Sequence, residues 1–423
     1  IVSPTGIAAA NAGGTTIHAQ FNLPLSVITI HERSILDDIS FNNSKRKLLL
    51  EMQLLVIDEV SMLRADLLDA IDYLLKKTRK NISPFGGVQL LLVGDPFQLP
   101  PVTNEKDLQK LSSSYPSPYF FEAICLKEHQ PILITLEKVF RQKNENFIEL
   151  LNAVRANKLN DEMLNQLNAR CLTDNTIPPS YIVLTTHNEK AKRHNQVCLE
   201  NAAGDVMKFP AVVEGNFDQS QCLAEAMLEL KIGVPVVLIK NHKDQLGKYF
   251  NGKIGNVIKM DSMHIEVSFP GEDNLLVERD IWVEAEYVYD EVHDNFQKIV
   301  KGSLQQFPLK LGAAMTIHKS QGLTFEHAVL DLEGVFAPGQ LYVALSRLTS
   351  LDGLFLRSPI SRNALSFYPD LLSFETKFSD ASFIPEPLTL SRLASVYSMM
   401  IQWFDLQTVL ANFFPSHFTP STH

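Results

Sequence analysis

Cysteines are few in this sequence, and they do not form a metal-binding pattern. The 423 residues include four cysteines, namely Cys125, Cys171, Cys198 and Cys222. No two of them form a CxxC pair, and none lies beside histidines at the spacing of a zinc site. The sequence therefore predicts no structural zinc, and it favours a reducing compartment.

Positive charge is also scarce. Lysine and arginine number 38 against 48 aspartate and glutamate residues, which gives a formal net charge of −10. This balance excludes a global basic field of the kind that attracts nucleic acid. It does not exclude a local groove, because a protein with acidic outer faces can still hold a strand in a basic channel.

Long apolar segments and a leader peptide are absent as well. The best candidate for a membrane span, residues 393–414, carries Gln402, Asp405 and Gln407, so we expect no membrane partner. No signal peptide is visible. The chain begins at Ile1, and its first residues resemble the end of a buried strand, which favours truncation over processing.

The sequence does contain short apolar runs that alternate with helical patterns. Residues 54–57 and 89–93 are predicted to be buried strands, and residues 62–80 between them a helix with one apolar face. This alternation predicts an α/β fold with parallel sheets covered by helices. Further strands are expected at residues 132–136, 181–185, 234–240, 311–318, 327–332 and 354–357.

The pattern changes between residues 241 and 310. Gly252, Gly255 and Gly271 separate short alternating strands at 256–260, 264–269 and 275–278. This arrangement predicts a small β-barrel inserted into the second α/β domain. Beyond residue 361, prolines interrupt the chain, and a helix is expected over residues 391–413 with no assigned role.

Two acidic side chains follow the first predicted buried strand. Asp58 and Glu59 come directly after residues 54–57, at the carboxyl edge where parallel sheets bind ligands. Asp58 could hold Mg²⁺ through water, because this ion prefers hard oxygen ligands and keeps its hydration shell. Glu59 could polarise an attacking water for phosphoryl transfer. The alternative is an acidic helix start that merely complements the helix dipole.

The second predicted strand ends at the same edge, in a turn rich in proline. Gln98 lies in this turn, and its amide could sense a terminal phosphate. Farther on, Arg141 and Arg347 could each stabilise charge on a transferring phosphoryl group. For a single arginine, a surface salt bridge is the alternative.

Two more segments are dense in small, hydroxyl, amide or cationic side chains. One runs from Ser3 to His18 and suits close approach of a phosphate to the backbone. The other runs from Thr316 to Thr324, after a predicted strand, and suits contacts to the phosphates of a nucleotide or of DNA. A glycine-rich loop and a structural histidine are the alternatives for the first segment.

Together and in this order, these segments resemble the helicase motifs of the Pif (petite integration frequency) family, the superfamily-one branch that also includes RecD. The resemblance covers roughly residues 1–360. The matching segments are Ser3–His18, Ile57–Met62, Gly86–Val102, Phe140–Arg155, Asn251–Gly255, Thr316–Thr324 and Phe336–Arg347. It implies two RecA-like parallel-sheet motor domains, at 1–155 and at 156–240 plus 311–360, the first being incomplete. Residues 241–310 would form an SH3-like barrel, and residues 361–423 a tail of unknown role.

The resemblance also implies an activity and a set of site residues. The family hydrolyses ATP with Mg²⁺, moves 5′ to 3′ on single-stranded DNA, and unwinds duplexes, forks and often G-quadruplexes. It would act as a monomer in DNA repair, recombination or telomere maintenance, in a bacterial cytoplasm or nucleoid or in a eukaryotic nucleus or mitochondrion.

The resemblance implies three groups of site residues. The implied catalytic residues are Asp58, Glu59, Gln98, Arg141 and Arg347, and Asp58 would also bind the metal. The implied nucleotide-binding residues are Asp58, Gln98, Gly322 and Arg347. The implied DNA-binding residues are Pro4, Thr5, Gly6, His18, Thr316, His318, Lys319 and Gln321.

The sequence departs from the family at one point. The family places a GxxGTGKS P-loop ahead of the segment that matches Ser3–His18, and no such run occurs in these 423 residues. We therefore expect a fragment of a longer protein that lacks ATP hydrolysis by itself. Two other interpretations remain open, namely a motor remnant that grips single strands without turnover and a RecD-like subunit of a nuclease complex.

Overall fold

The computed structural model describes most of the chain up to residue 361. The described residues are 1–29, 32, 34–129, 131–136, 138–173, 177, 181–219, 222–240, 252–269, 271–290, 295–334, 338–361, 371 and 374. Residues 1–130 and 136–371 form one compact unit, and all elements below belong to it. Residues 131–135 and 372–423 group separately. The helix expected at 391–413 lies outside the described residues.

A first parallel sheet is built from the N-terminal third of the chain. Its strands are β1 (Val2–Ser3), β2 (Thr15–Thr16), β3 (Leu54–Ile57) and β4 (Gln89–Leu92), in the order β2-β1-β3-β4. All neighbouring strands are parallel. The helices of this part are α1 (Gly6–Asn11), α2 (Ile17–Phe21), α3 (Ser34–Asp37), α4 (Asn43–Glu51), α5 (Ala65–Arg79), α6 (Glu105–Ser112), α7 (Ile124–Glu128) and α8 (Glu145–Arg155).

Helix α5 connects β3 to β4, as the apolar spacing predicts. Its leucine and isoleucine side chains are buried, and it ends where Lys80 adopts a left-handed conformation with φ of 51°. Two buried carboxylates on this helix hold surrounding loops. Asp69 accepts hydrogen bonds from the Tyr115 hydroxyl and the Cys125 N–H, both at 2.9 Å, and Asp72 accepts one from the Phe85 N–H at 2.7 Å.

The remaining elements follow in chain order. They are α9 (Asp161–Asn168), β5 (Ile182–Thr185), α10 (Asn188–Asn201), β6 (Met207–Pro210), β7 (Val212–Gly215), β8 (Met227–Leu230), β9 (Pro235–Leu238), β10 (Ile254–Met260), β11 (Ile265–Ser268), β12 (Leu275–Val277), β13 (Asp280–Asp290), β14 (Asn295–Gln306), β15 (Leu309–Leu311), β16 (Ala314–Thr316), β17 (Ala328–Asp331), α11 (Gln340–Ser346) and β18 (Leu354–Leu356).

A second parallel sheet has the order β16-β5-β17-β18. Each neighbouring pair is parallel, and β5 and β17 are buried along their whole length. The prediction of an α/β fold with two parallel sheets is therefore confirmed. In both sheets, the segments predicted to carry chemistry follow the carboxyl ends of strands.

Antiparallel strands are inserted between β5 and β16. They form a five-stranded sheet (β12-β11-β10-β9-β15), a three-stranded sheet (β13-β14-β7) and a two-stranded sheet (β6-β8). These strands begin at Met207, so antiparallel structure starts well before the expected position 241. The five-stranded sheet has its own core, which includes Val257, Ile265 and Val267. An SH3-like barrel at this position stays a prediction.

The strand predicted at 234–240 exists, but its expected place in the parallel sheet is wrong. It is β9, and it pairs antiparallel with β10 and β15. The sequence misleads here because both faces of the strand are buried. Val236 and Leu238 pack in the core of the insertion, whereas Val237 and Ile239 pack in the core of the second parallel sheet. A continuous apolar run does not distinguish this case from a parallel strand.

Two further strand predictions need correction. The expected strand at 311–318 is divided into β15 and β16, because the chain turns at Gly312, whose N–H donates to the Pro235 carbonyl at 2.8 Å. Residues 132–136 form no strand, and Ile132, Ile134 and Leu136 are exposed, Leu136 by 87%. None of these residues is buried, so they lack the core packing that a buried strand requires. Among the described helices, none has the length and apolarity to span a bilayer.

Candidate functional site

Asp58 and Glu59 lie at the carboxyl end of β3, as predicted. The Asp58 N–H donates to the Val2 carbonyl at 2.9 Å, so β1 fixes the end of the strand. Asp58 Oδ1 accepts the Glu59 N–H at 2.9 Å. Glu59 itself adopts a left-handed conformation, with φ of 52° and ψ of 48°. Such a conformation is uncommon for a residue with a side chain and is frequently found at functional sites.

The ends of β3 and β4 are held close together behind these carboxylates. The Val60 N–H donates to the Val93 carbonyl at 3.0 Å. Gly94, with φ of 148°, packs so tightly that a Cβ atom there would lie 2.8 Å from the Val60 nitrogen. Only glycine fits this position without a shift of the backbone. Asp95, which follows it, is thereby brought to the same edge as Asp58.

Charged neighbours surround the Glu59 carboxylate. Burial raises the pKa of Glu59 above its usual value, and the negative charges of Asp58 and Asp95 raise it further. The positive charges of Arg347 and Arg141 act in the opposite direction and lower it. Glu59 therefore lies within electrostatic reach of both arginines that the sequence selects.

Arg347 is fixed at the end of α11 and is only 3% exposed. Its Nε donates to the Val343 carbonyl at 3.0 Å, and its Nη2 donates to the Ser346 hydroxyl at 2.9 Å. Burial, followed by the positive charge of Arg141, lowers the pKa of Arg347 to about 10. Burial also lowers the pKa of Arg141. Two partly desolvated cations thus lie close together, an arrangement that favours an anionic ligand.

Gln98 lies in the turn after β4, half-buried, and contacts the start of α11. Its N–H donates to the Asp95 carbonyl at 3.0 Å. Gly339, the N-terminal cap of α11, has φ of 74°. A methyl group at Gly339 would collide with the carbonyl oxygens of Phe97 and Gln98. The turn that carries Gln98 and the helix that carries Arg347 therefore pack directly against each other.

Three residues that the sequence did not select join this cluster. The Tyr342 hydroxyl is hydrogen-bonded to Asp95, and burial followed by the charge of Asp95 raises the pKa of Tyr342. Arg155 places its Nε 3.4 Å from Asp95 Oδ1 and its guanidinium 4.0 Å from the centre of the Phe97 ring. The available signal for Asp95 was its position shortly after the predicted strand at 89–93, at the same sheet edge as Asp58. The expected burial of that strand is wrong, because the residues of β4 are half-buried or exposed.

The N-terminal candidates lie around α1 and α2. Pro4, Thr5 and Gly6 are half-buried at the start of α1, and Thr5 Oγ1 accepts the Ala8 N–H at 3.3 Å. His18 lies on α2, and its Nε2 is buried without a hydrogen-bond partner in the described part of the chain. Burial, followed by the positive charge of Arg64, lowers the pKa of His18.

The candidates after β16 form a tight turn. Thr316 is buried, and its Oγ1 accepts the Lys319 N–H at 3.4 Å. His318 is half-buried, and burial lowers its pKa. The Gln321 side-chain nitrogen is buried without a partner among the described residues, and Gly322 is exposed with φ of 77°. Lys319 is exposed and extends from the turn.

One cavity lies beside Lys319, which is the one DNA-binding candidate among its lining residues. It has a volume of about 390 Å³, and Ile7 of α1 and Lys319 both line it. The rest of its wall comes from the insertion, through Gln219, residues 222–227 and Lys310. His18 does not line this cavity, because its imidazole lies near the charges of Arg64 and Asp66 instead.

Comparison with known proteins shows the family of this chain. A family described as PIF1-like helicase matches residues 1–165. The human ATP-dependent DNA helicase PIF1 is 35% identical over 361 residues, which cover 83% of this chain and 52% of the human protein. The chain thus spans about half the length of the curated relatives it matches.

Two solved structures extend the comparison to three dimensions. A crystal structure of Bacteroides sp Pif1 in complex with ADP-AlF4 is 35% identical, has a TM-score of 0.82, and covers 89% of this chain and 86% of that chain. Bacteroides Pif1 bound to ssDNA is also 35% identical, with a TM-score of 0.63, covering 90% of this chain and 87% of that chain. The two parallel sheets are therefore RecA-like cores, and the chain belongs to the PIF1-like helicase family.

Proposed function

We propose that this chain carries the nucleotide-hydrolysis and strand-binding residues of an ATP-dependent DNA helicase that moves 5′ to 3′ on single-stranded DNA. The observation that carries the proposal is the group of opposite charges around Glu59. A half-buried carboxylate with a raised pKa lies at the end of a parallel strand, within reach of two partly desolvated arginines. This arrangement suits transfer of a phosphoryl group to water, in which charge must be stabilised on the transferring oxygens.

Each residue of the cluster has a part in this reaction. Glu59 orients the attacking water and accepts its proton, which its raised pKa favours. Arg347 and Arg141 stabilise the negative charge that develops on the phosphoryl oxygens. Gln98 senses the terminal phosphate, and its packing against Gly339 couples that signal to the helix that carries Arg347. Gly322 would contribute to the nucleotide site through its exposed backbone.

Asp58 fits a role in holding Mg²⁺. No group of three or more potential metal ligands occurs among the residues that the structure describes. A magnesium ion that is bound by one or two carboxylates, by substrate phosphates and by water needs no larger group. Asp58 Oδ1 is already oriented by the Glu59 N–H. The ion, when bound, would neutralise charge on the phosphates.

Single-stranded DNA is the proposed partner at the cavity of about 390 Å³. Lys319 supplies a cation there, and Pro4, Thr5 and Gly6 immediately precede Ile7 in its wall. Thr316, His318 and Gln321 belong to the turn that carries Lys319. The solved relative bound to ssDNA supports single-stranded DNA as the partner. Forks and G-quadruplexes as substrates, a monomeric state, and work in repair, recombination or telomere maintenance complete the proposal.

The proposal includes one requirement that these 423 residues do not meet. They contain no Gly-Lys-Ser or Gly-Lys-Thr run, which helicases of this kind use to hold the phosphates of ATP. We therefore expect the 423 residues to bind single-stranded DNA without hydrolysing ATP. Joined to a segment that carries a P-loop, the same residues should hydrolyse ATP.

Unwinding of partial duplexes tests the proposal. The protein joined to a P-loop segment is mixed with duplexes that carry either a 5′ or a 3′ single-stranded tail, and strand release is followed by fluorescence. We expect ATP-dependent release only from the 5′-tailed duplex. Release from the 3′-tailed duplex alone would contradict the direction, and release from neither would contradict helicase function.

A further inference from the structure

The cavity beside Lys319 contains a second lysine that belongs to none of the motifs. Lys310 lies on β15 and lines the cavity together with Lys319. Its neighbours Leu309 and Leu311 are buried, so the strand fixes its position. The side chain of Lys310 is only 17% exposed. A cation held in this way differs from a mobile surface lysine, because it loses little conformational entropy when it binds an anion.

Lys310 already has an anionic partner inside the cavity. Its Nζ lies 3.1 Å from Glu225 Oε1, and the Glu225 side chain is 38% exposed. Glu225 lies just before β8 and also lines the cavity. The carboxylate therefore occupies the place beside Lys310 that a phosphate oxygen of a ligand would need.

The two lysines and Glu225 influence one another. Burial lowers the pKa of Lys319, the positive charge of Lys310 lowers it further, and Glu225 partly raises it. Among the residues that line the cavity, two cations thus share one carboxylate. A phosphodiester carries one negative charge and would complete the balance, or would take the place of Glu225 beside Lys310.

The rest of the cavity suits the sugar and base of a nucleotide. The apolar residues Ile7, Leu223, Ala224, Ala226 and Met227 also line the cavity. The volume of about 390 Å³ falls within the range of roughly 300 to 1,000 Å³ that is usual for small-molecule pockets. The combination of paired cations and apolar lining residues fits one nucleotide unit of a strand.

We propose that Lys310 is a second phosphate-contacting residue for single-stranded DNA, and that Glu225 is an internal anion which the DNA phosphate displaces. This inference rests on the proposed function, because that proposal supplies the ligand. It goes further in assigning a phosphate contact and a competing anion to two residues that match no family motif in this sequence. It also assigns Glu225 a regulatory effect, since the carboxylate weakens binding in proportion to its own affinity for Lys310.

Binding of oligo(dT) to the 423-residue chain tests the exchange. Affinity is measured by fluorescence anisotropy across a range of salt concentrations. Lys310→Ala should lower affinity about tenfold and reduce the salt slope by about 0.7, the value for one phosphate of a single strand. Glu225→Gln should raise affinity about three- to tenfold, because the competing anion is lost. In the Lys310→Ala background, Glu225→Gln should raise affinity less than it does in the unaltered chain, because only the pairing of Glu225 with Lys319 is then relieved.

A second ion pair of the insertion provides matched controls. Lys208 on β6 and Glu229 on β8 approach to 2.7 Å, and neither lines the cavity. Lys208→Ala and Glu229→Gln alter the net charge as the test variants do, and each should change affinity less than twofold. Equal effects from the two pairs would overturn the proposal, because they would reflect overall charge alone.

Protection of Cys222 from alkylation shows where the DNA strand binds. Cys222 lines the cavity, and Cys198 on α10 lies outside it. Oligo(dT) should slow alkylation of Cys222 at least threefold and leave Cys198 unchanged, with mass spectrometry as the readout. Inorganic phosphate or thymidine monophosphate should not protect Cys222 at the same concentration, and equal protection by either would indicate a small-anion site and overturn the proposal.

The outcomes separate this inference from the proposed function. Tight binding of oligo(dT) that is insensitive to Lys310→Ala, with Cys222 unprotected, would overturn the role of Lys310 and leave the strand-binding function standing. Failure of the unaltered chain to bind oligo(dT) would overturn both. Loss of affinity in Lys310→Ala together with protection of Cys222 in the unaltered chain would support both.

Discussion

Arg141 and Arg347 are connected through one residue, because Arg141 Nη1 donates to the carbonyl of Ser346 at 3.1 Å. Ser346 directly precedes Arg347, and its hydroxyl accepts from Arg347 Nη2. Gln142 strengthens the connection by donating to the same carbonyl at 3.2 Å and to the Leu348 carbonyl at 2.7 Å. The segment after the first parallel sheet is thereby fixed to the end of α11. Because of this connection, two arginines that are far apart in sequence both lie within electrostatic reach of the Glu59 carboxylate.

The first prediction concerns these arginines in the protein joined to a P-loop segment. Arg347→Ala should lower kcat for ATP about 10³-fold, because an arginine that stabilises transition-state charge contributes on this scale. The KM for ATP should change less than tenfold. Steady-state hydrolysis assays measure both values, and Arg193→Ala on the exposed face of α10 is the matched control. Unchanged turnover in Arg347→Ala would reduce this residue to a structural role.

The raised pKa of Glu59 predicts a pH-dependent cost in stability. The folded state binds the Glu59 proton more tightly than the unfolded state does, so this group's contribution to stability is lost as pH rises through the folded-state pKa. Glu59→Gln removes the cost of the buried charge. At pH 7 the variant should melt at a higher temperature than the unaltered chain.

The same variant should lose its advantage in acid. As pH falls through the raised pKa towards the ordinary value, Glu59 becomes protonated in the unaltered chain, and the difference in Tm should shrink towards zero. Thermal melts of the 423-residue chain between about pH 4 and pH 8 measure the difference. A difference in Tm that stays constant with pH would show that ionised Glu59 does not destabilise the folded chain.

A third prediction tests the contact between Gln98 and α11. Gly339→Ala should lower stability and reduce ATP hydrolysis at least tenfold, because the new methyl group collides with the carbonyls of Phe97 and Gln98. Gly204→Ala is the control, since Gly204 has a similar φ of 83° but no atom within 4 Å of the new methyl group. Its cost should be limited to backbone strain of about 1 kcal/mol. Equal hydrolysis in the two variants would remove the coupling role of this contact.

The salt dependence of DNA binding tests Lys319. Lys319→Ala should weaken binding of oligo(dT) and reduce the slope of log affinity against log salt by about 0.7, because one released counterion is lost. Lys192→Ala, on the exposed face of α10, should leave the slope unchanged. Binding isotherms from about 50 to 200 mM salt measure both slopes. An unaltered slope in Lys319→Ala would exclude this residue from the DNA contact.

The sequence predicts the parallel sheets well because their strands are short, apolar and bounded by polar turns. Strand β3 occupies the predicted residues 54–57, and Asp58 and Glu59 follow it as expected. Strand β9 was assigned to the wrong sheet because two separate cores bury its two faces. Apolar character reveals burial, but it does not reveal which neighbouring strand supplies the hydrogen bonds.

The candidate site was predictable only in part, for a related reason. Asp58 and Glu59 are visible in sequence because adjacent carboxylates after a buried strand are a local signal. The cluster of Asp95, Arg155 and Tyr342 depends on contacts between distant segments, and no local pattern encodes it. Lys310 and Glu225 likewise meet only because β15 and the segment before β8 border the same cavity.

ATP hydrolysis in the presence and absence of single-stranded DNA is the most direct test of the account. The measurement compares the protein joined to a P-loop segment with its Glu59→Gln variant, and with Glu149→Gln on the exposed face of α8 as a control. We predict turnover that DNA stimulates, a loss of about 10² to 10⁴-fold in Glu59→Gln with ATP binding retained, and no change in Glu149→Gln. DNA-stimulated turnover that survives in Glu59→Gln would contradict the assignment of the catalytic site.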